Sequence, residues 1–150
     1  GTQYEAIYNM EEDFAFEVAP ARTFCFLSEV EMLKERGLIK GGALDNAVVI
    51  IDKVIDTNEM KRLKDLFGVE HNITQGANGI LNGKVLRFKN EPVRHKTLDL
   101  IGDLALLGVP IKGHVTAARA GHASNVEFVK KIKKAYSKEL NLLRSESNNG

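Results

Sequence analysis

The chain has 150 residues, of which 43% are hydrophobic and 27% charged, and its formal net charge is +1 at pH 7. This composition is typical of a globular protein with a sizeable core, and it excludes disordered and collagen-like chains. The small net charge gives no strong field towards nucleic acid, so we expect no nucleic-acid partner. The one basic run, residues 130–134, has apolar neighbours at core spacing, which favours a solvated helix face over a binding surface.

The only cysteine is Cys25, so an internal disulfide is excluded and a cytoplasmic location is favoured. We interpret Cys25 as a small strand residue rather than a nucleophile. No apolar stretch is long enough to be a transmembrane segment, and the N-terminus lacks the pattern of a signal peptide. The chain also starts without Met and enters a strand-like pattern at once, which suggests a piece of a longer protein.

Strand and helix patterns alternate in the first half of the chain. Alternating or continuous apolar runs predict strands, and residues suited to helix caps predict helix starts. In order, we predict a strand at 4–8, a helix capped by Asn9 and running to Val18, a strand at 23–27, a helix opened by Ser28 and Glu31 and ending at Gly37, a turn at Gly41-Gly42, a buried strand at 47–52, and a helix capped by Thr57 and ending at Gly68.

The second half continues in the same way. We predict a surface loop or hairpin at 69–82, a strand at 85–88, a helix from Pro92 to about Leu107, a strand at 111–118, a helix opened by Ser124 and Glu127 and running to about Leu143, and a frayed tail at 145–150. Alternating strands and helices predict an α+β fold, a two-layer sandwich in which helices pack on one face of a sheet. The predicted domain spans residues 1–144.

The segment from Glu91 to Asp103 places His95, Asp99 and Asp103 on one stripe of the predicted helix. The rest of that helix is almost entirely apolar, which predicts a buried helix. An unpaired buried charge is costly, so these three side chains require a metal, a partner charge or a substrate. Imidazole and carboxylate four residues apart suit zinc or iron, and a structural ion pair is the alternative.

A second group of polar residues follows Ala120. Gly121 allows a tight turn, and His122 then precedes a predicted helix N-terminus, whose positive end disfavours an imidazolium ion. A nearby carboxylate would make the imidazolium ion favourable again, and Asp103 is the candidate for that carboxylate. His122 would then be an oriented, protonatable acid. The alternative is a loop histidine that only hydrogen-bonds the backbone.

Four motifs resemble those of one known family and occur in the same order along the chain. They are A-R-T-F at residues 21–24, Gly41-Gly42, V-R-H-K-x-x-D-x-I-G-D-L at 93–104, and G-H-A-x-N at 121–125. Together they closely resemble the C-terminal domain of the UDP-3-O-acyl-N-acetylglucosamine deacetylases. Those enzymes are zinc amidases of the committed step of lipid A synthesis in Gram-negative bacteria. The resemblance covers residues 4–134.

The resemblance implies roles for four residues around a Zn²⁺ cofactor and a UDP-linked acylated glucosamine substrate. His95 and Asp99 correspond to two zinc ligands. Lys96 corresponds to a residue that faces the substrate near its nucleotide, and Phe24 to a ring beside the sugar.

Three further residues take catalytic roles by the same resemblance. His122 corresponds to the cationic acid at the leaving amine, and Asp103 to the carboxylate that holds it. Thr23 corresponds to a hydroxyl that assists the zinc in binding the oxyanion. These assignments give a coherent amide hydrolysis.

The resemblance also implies that the chain is one half of a two-domain deacetylase. In the family the third zinc ligand and the glutamate base come from an N-terminal domain that this chain lacks, so we expect the chain alone to be inactive. No role passes to His71 or His114. The long polar stretch at 69–83 resembles a branch in which a hydroxyacyl carrier-protein dehydratase follows on the same polypeptide, although no dehydratase sequence is present.

Two other functions remain open from the sequence. One is a non-catalytic module that binds a nucleotide sugar. The other is a regulatory subunit in which His95 and Asp99 form a structural ion pair.

Overall fold

The computed structural model describes residues 6–9, 11, 13–37, 47–67, 73–139 and 141. Of these, the residues within Pro20–His95 form one compact unit, and those within Ala6–Ala19 and Lys96–Gly150 form a second. The predicted turn at Gly41-Gly42, the helix end at Gly68 and the predicted tail at 145–150 lie outside the described residues.

The described chain has five numbered helices and two strands, besides a short helical stretch at 137–139. They are α1 (Phe14–Glu17), β1 (Thr23–Phe26), α2 (Val30–Glu35), β2 (Ala47–Ile50), α3 (Thr57–Phe67), α4 (Glu91–Ala105) and α5 (His122–Ala135), with a 3₁₀ turn at Leu27–Glu29 between β1 and α2. The predicted α+β class is confirmed.

The sheet of the first unit consists of β1 and β2, which pair in parallel with Cys25 opposite Val49. Val30 of α2 and Leu63 of α3 are buried in the same apolar cluster as Val49, so both helices pack on the sheet. The predicted double burial of the second strand is confirmed at its centre, where Val48 and Val49 are both buried.

A hairpin completes the core of the first unit. Antiparallel bridges join Ile50 to Ile80 and Gln75 to Leu81, and Ile80 and Leu81 are buried. At Gly76 a Cβ atom would lie 2.5 Å from the Cα of Gly83, so only glycine fits where the two arms meet. Of the two alternatives predicted for residues 69–82, the hairpin is correct for the described residues 73–82, and residues 69–72 lie outside the described range.

The second unit has a smaller apolar cluster. Val129 of α5 and Leu107 are buried together, and Leu104 of α4 and Ile132 of α5 pack against them. Most lysines of the basic run on α5 are exposed. These lysines therefore form an exposed face of α5, and the choice of a solvated face over a binding surface stays a prediction.

Two helix starts differ from the prediction because an aspartate provides the cap. Asp13 accepts a hydrogen bond from the Ala15 N–H, so α1 begins at Phe14, several residues after Asn9. Asp56 accepts from the Glu59 N–H, which makes Thr57 the first residue of α3 and not its cap. Aspartate is among the best N-cap residues, and each of these two aspartates lies within four residues of the cap that was predicted.

Two serines also have other partners than predicted. The N–H and hydroxyl of Ser28 donate to the distant Asp52 carboxylate, and α2 begins after the 3₁₀ turn. The hydroxyl of Ser124 bonds the backbone of Gly121, and Gly121 is the N-cap of α5. The last helix thus begins at His122, before the predicted cap. It ends at Ala135, although residues 137–139 are helical again.

Two predicted strands are absent from the described chain. Residues 85–88 form no strand, and the Val85 carbonyl accepts from the Arg22 side chain instead of from a neighbouring strand. Residues 111–118 are exposed throughout and pair with no strand. An alternating pattern needs a hydrogen-bonding neighbour to become a strand. Residues 6–8 of the first predicted strand are irregular too, and residues 4–5 lie outside the described range.

The α4 helix follows its predicted boundaries, with Pro92 in its first turn. Its predicted burial is wrong, because Glu91 is the only buried residue of α4. Leu98, Leu100, Ile101 and Leu104 are half-buried. Apolar residues on a helix indicate that burying them is favourable. They do not determine which part of the protein packs against them.

Candidate functional site

His122 and Asp103 are in direct contact in the second unit. His122 is the first residue of α5, and Asp103 lies in the last part of α4. Nδ1 of His122 lies 2.9 Å from Oδ2 and 3.1 Å from Oδ1 of Asp103. A carboxylate only accepts hydrogen bonds, so Nδ1 carries the proton and donates it. The predicted contact between these two residues is confirmed.

The Asp103 carboxyl is held in its charged form. Burial acts to raise its pKa, but hydrogen bonds from Asn125 and His122 outweigh burial, so the pKa lies below its ordinary value. The His122 side chain is 70% exposed, whereas that of Asp103 is 13% exposed. The pair therefore presents the imidazole ring to the surface while the carboxylate that accepts from it stays mostly buried.

Asn125 is a third member of this group, and the sequence assigned it no role. Its side-chain Nδ2 donates to Oδ2 of Asp103 at 2.9 Å. The residue is buried, with 5% exposure. The sequence did hold a signal that Asn125 belongs with His122. The two residues are three apart in the G-H-A-x-N motif, and residues i and i+3 share one helix face.

Asp99 lies one helical turn before Asp103 on α4. Its side chain is 15% exposed, and its Oδ1 lies 3.9 Å from Nε2 of His122. Its Oδ2 lies 3.9 Å from Nζ of Lys96. Both distances exceed hydrogen-bonding length, so these are charge neighbours and not bonded partners. Asp99 is thus next to the ring nitrogen of His122 that faces away from Asp103.

His95 ends the part of α4 that belongs to the first unit. Its Nδ1 lies 3.0 Å from the backbone carbonyl of Ala21. A carbonyl only accepts, so Nδ1 is the donor, and in the neutral ring Nε2 is then the nitrogen able to bind a metal. A backbone carbonyl on one ring nitrogen is a common support for a metal-binding histidine.

The Ala21 segment is itself fixed by a buried ion pair. Glu91 is fully buried, and its two oxygens accept from Nε of Arg22 at 2.8 Å and Nη2 of Arg22 at 2.9 Å. The same carboxylate accepts from the backbone N–H groups of Arg22 and Arg87. Glu91 was assigned no role from the sequence, where its only signal was its place in the first turn of α4.

The pKa of Glu91 follows from these four bonds. Burial alone would raise the pKa, but hydrogen bonds from Arg22 and Arg87 outweigh it and lower the pKa of the carboxyl from 4.5 to about 2. Glu91 is therefore charged at neutral pH and fixes the start of α4 to the start of β1.

Thr23 and Phe24 lie on β1. Thr23 is exposed at the start of the strand, paired in register with Ala47. The Phe24 ring is half-buried and meets the Phe26 ring edge-on, with centroids 6.3 Å apart. These contacts test neither the hydroxyl role of Thr23 nor the sugar contact of Phe24, which stay predictions.

The donor types of His95 and Asp99 suit zinc, and both lie on α4 at the spacing of one turn. In the described part of the chain, no group of three His, Cys, Asp or Glu side chains could hold a metal ion. The assignment of His95 and Asp99 as two zinc ligands therefore stays a prediction.

The remaining candidate side chains are accounted for. Burial raises the pKa of the Cys25 thiol to about 11, so Cys25 is not an activated nucleophile, as predicted. His114 is exposed, and His71 lies outside the described residues. Within the described ranges, no helix is long and apolar enough to cross a membrane.

Comparison with known proteins identifies the family. The family model described as "LpxC: UDP-3-O-acyl N-acetylglycosamine deacetylase" matches residues 1–74 and 67–134. The "Bifunctional enzyme LpxC/FabZ" of Chlorobaculum tepidum is 54% identical over 135 residues, which are 89% of this chain and 29% of that protein. Its namesake from Bacteroides thetaiotaomicron is 45% identical over 132 residues, or 88% of this chain and 28% of that protein.

A third relative is named for the deacetylase activity alone. The "UDP-3-O-acyl-N-acetylglucosamine deacetylase" of Chlamydia pneumoniae is 45% identical over 135 residues, which are 90% of this chain and 39% of that protein. The chain thus spans between 28% and 39% of the length of these three relatives. Because the family model matches most of its residues, the chain belongs to the UDP-3-O-acyl N-acetylglycosamine deacetylase family.

Proposed function

We propose that the protein containing this chain hydrolyses the N-acetyl group of UDP-3-O-acyl-N-acetylglucosamine. The amide C–N bond is cleaved by water, which yields acetate and a free amine on the sugar. This is the committed step of lipid A synthesis in the family that the sequence resembles. Family membership and the printed name of the Chlamydia pneumoniae relative support the proposal.

The contact between His122 and Asp103 carries the proposal. Amide hydrolysis requires a proton for the amine that leaves, since an amide anion is a very poor leaving group. A protonated His122 has Nδ1–H on Asp103 and Nε2–H pointing away from it. Nε2 is therefore the atom that gives the proton to the leaving nitrogen.

Asp103 determines how well His122 performs this step. Its carboxylate accepts the Nδ1–H of His122 and so fixes the orientation of the ring. The same arrangement limits proton loss in the other direction, because Nδ1–H remains bonded to Asp103 while Nε2–H is transferred.

His95 and Asp99 are the residues that we propose to hold zinc. The Ala21 carbonyl on Nδ1 of His95 and the low exposure of Asp99 support this assignment. When bound, zinc polarises the amide carbonyl and lowers the pKa of a bound water. Asp99 neighbours Nε2 of His122, which would put the proton donor close to this proposed ligand.

Three further side chains complete the proposed substrate contacts. The Thr23 hydroxyl would donate to the carbonyl oxygen as negative charge develops there. Lys96 would attract the anionic nucleotide of the substrate, and its side chain is 46% exposed. The Phe24 ring would pack beside the sugar.

The proposal includes parts of the protein beyond this chain. The chain spans less than two fifths of these relatives, so we place the third zinc ligand and the glutamate base in an N-terminal domain of the longer protein. The bifunctional names of two relatives support a second enzyme on the same polypeptide, for which we propose a hydroxyacyl carrier-protein dehydratase. We place the protein that contains this chain in the cytoplasm, and the free thiol of Cys25 supports this location.

The proposed function can be tested by following the reaction products with the full-length protein. We expect acetate and free amine to form in equal amounts from UDP-3-O-acyl-N-acetylglucosamine. Removal of metal with a chelator should abolish turnover, and added zinc should restore it. If the substrate binds but releases no acetate in the zinc-loaded protein, a nucleotide-sugar binding module is the better description. Full turnover in metal-free protein would contradict the zinc assignment.

A further inference from the structure

Asn125 is one of two buried polar or charged residues recorded for the described chain, the other being Glu91. A buried side-chain amide costs free energy unless its donors find acceptors. The Nδ2 group of Asn125 donates to Oδ2 of Asp103 at 2.9 Å. Because an ionised carboxylate only accepts, the amide must present its NH₂ end, which fixes the rotation of the Asn125 side chain.

The same Asp103 oxygen accepts from both α5 residues. Oδ2 receives Nδ1–H of His122 at 2.9 Å and Nδ2–H of Asn125 at 2.9 Å. Both donors belong to the start of α5, where the Asn125 N–H bonds the Gly121 carbonyl at 3.0 Å. The carboxylate can therefore rotate only by giving up the buried donor as well as the exposed one.

We propose that Asn125 is a positioning residue for His122, acting through the Asp103 carboxylate. Asn125 holds Oδ2 where the Nδ1–H of His122 reaches it, so that the ring keeps its proton on Nδ1 and directs Nε2 away from Asp103. This inference rests on the proposed function, in which His122 is the acid, and it extends that site to a residue outside the predicted set.

The first test measures catalysis in the full-length protein. Asn125→Ala removes the donor, and Asn125→Asp removes it while keeping the side-chain volume. Each should lower kcat about tenfold and leave KM and bound zinc unchanged. A change of this size is typical when the coupling between two neighbouring polar residues is removed. Val126→Ala is the matched control, because Val126 follows Asn125 on α5 and is half-buried. It should leave kcat within about twofold of the unchanged protein.

A double variant separates positioning from a general effect on packing. If Asn125 acts through His122, then Asn125→Ala should cause no further loss of kcat in a His122→Ala background. Equal losses in both backgrounds would overturn the inference. This outcome leaves the proposed function intact, because His122→Ala would still be impaired alone.

A spectroscopic readout is independent of activity. The ¹⁵N shifts of the His122 ring report which nitrogen carries the proton when the ring is neutral, and the signal missing from His122→Ala assigns them. We expect the Nδ1-protonated form to dominate in the unchanged protein and in Val126→Ala, and to lose population in Asn125→Ala and Asn125→Asp. Unchanged tautomer populations in both Asn125 variants would overturn the inference, whereas full kcat in His122→Ala would overturn the proposed acid.

Discussion

At the scale of single residues, the site combines exposed groups with buried supports. His122 is largely exposed, while Asp103 and Asn125, which hold it, are mostly buried. The buried members experience a lower local dielectric, so their hydrogen bonds are strong and their geometry is well determined. The exposed ring then has one constrained nitrogen and one that faces outward.

Lys96 gives a residue-scale prediction about substrate binding. Lys96→Ala in the full-length protein should raise KM about tenfold and leave kcat nearly unchanged, because a charge near the nucleotide acts equally in ground and transition states. Steady-state kinetics with the UDP-linked substrate measures both constants. Lys130→Ala is the control, since Lys130 is an exposed lysine on α5 that pairs only loosely with Glu127 at 3.8 Å.

The opposite result for Lys96 has a defined meaning. A fall in kcat with unchanged KM would move Lys96 from substrate binding to the reacting centre. A loss of zinc would indicate that its proximity to Asp99, 3.9 Å from Nζ to Oδ2, supports the metal ligand instead.

At the scale of secondary-structure elements, a buried carboxylate joins a strand to a helix. Glu91 begins α4 and Arg22 immediately precedes β1, and two side-chain bonds and one backbone bond connect them. The Ala21 carbonyl that receives Nδ1–H of His95 is next in sequence to Arg22. The Arg22–Glu91 pair thereby fixes the backbone against which His95 is oriented.

Glu91→Gln should destabilise the protein, because it leaves the Arg22 guanidinium facing a neutral amide in a buried place. Losing one partner of a buried ion pair costs about 3–5 kcal/mol, and we expect somewhat less for Gln because it keeps the side-chain shape. The measurement is the urea unfolding midpoint of the full-length protein at neutral pH. Glu127→Gln is the control, since Glu127 is exposed, and it should shift the midpoint little.

The effect of Glu91 should depend on pH in a defined direction. The folded-state pKa of Glu91 is about 2, below the ordinary 4.5, so its charged form stabilises the fold above about pH 4.5 and the benefit declines as pH falls towards 2. The shift corresponds to about 3 kcal/mol at neutral pH. The difference between unchanged protein and Glu91→Gln should therefore shrink below pH 4.5. A constant difference down to pH 2 would contradict this role.

The success of the sequence-based predictions also varies by element. The positions of β1 and β2 and the bounds of α4 follow from local apolar and capping patterns and could be predicted. The strand predictions at 85–88 and 111–118 are wrong because pairing depends on a neighbour that no local pattern specifies. Ser28 was mistaken for a cap because its acceptor, Asp52, is 24 residues away.

The site shows the same division. Contact between His122 and Asp103 could be predicted, because a nearby carboxylate offsets the positive end of a helix at a histidine and the family motifs supply one. The contribution of Asn125 could not, since its meaning depends on its burial and on the oxygen it shares with His122. Glu91 was missed for a similar reason, as its partner Arg22 is 69 residues away.

At the scale of the whole molecule, the chain carries only part of the proposed machinery. It spans 29% of the Chlorobaculum tepidum relative, and its described residues contain no group of three potential ligands that could hold a metal. Two ligands give a weak zinc site, because catalytic zinc normally has three protein ligands.

This division of the site predicts the behaviour of the isolated chain. The 150-residue chain should lose zinc on desalting and release no acetate, whereas the full-length protein should keep its zinc and turn over. Elemental analysis and acetate release measure the two properties, and circular dichroism checks that the isolated chain is folded. Comparable turnover by the isolated chain and the full-length protein would place the complete active site within these residues.

Parallel measurement of bound zinc and kcat tests whether His122 is the acid beside a zinc site that includes Asp99. In the full-length protein, His122→Ala should keep its zinc and lose roughly 10²–10⁴-fold in kcat, the usual contribution of a positioned acid. Asp99→Ala should lose zinc and activity together, and His114→Ala, which removes an exposed histidine, should change neither. If His122→Ala keeps its full kcat and Asp99→Ala keeps its full zinc, neither residue has its proposed role, and a binding module is the better description.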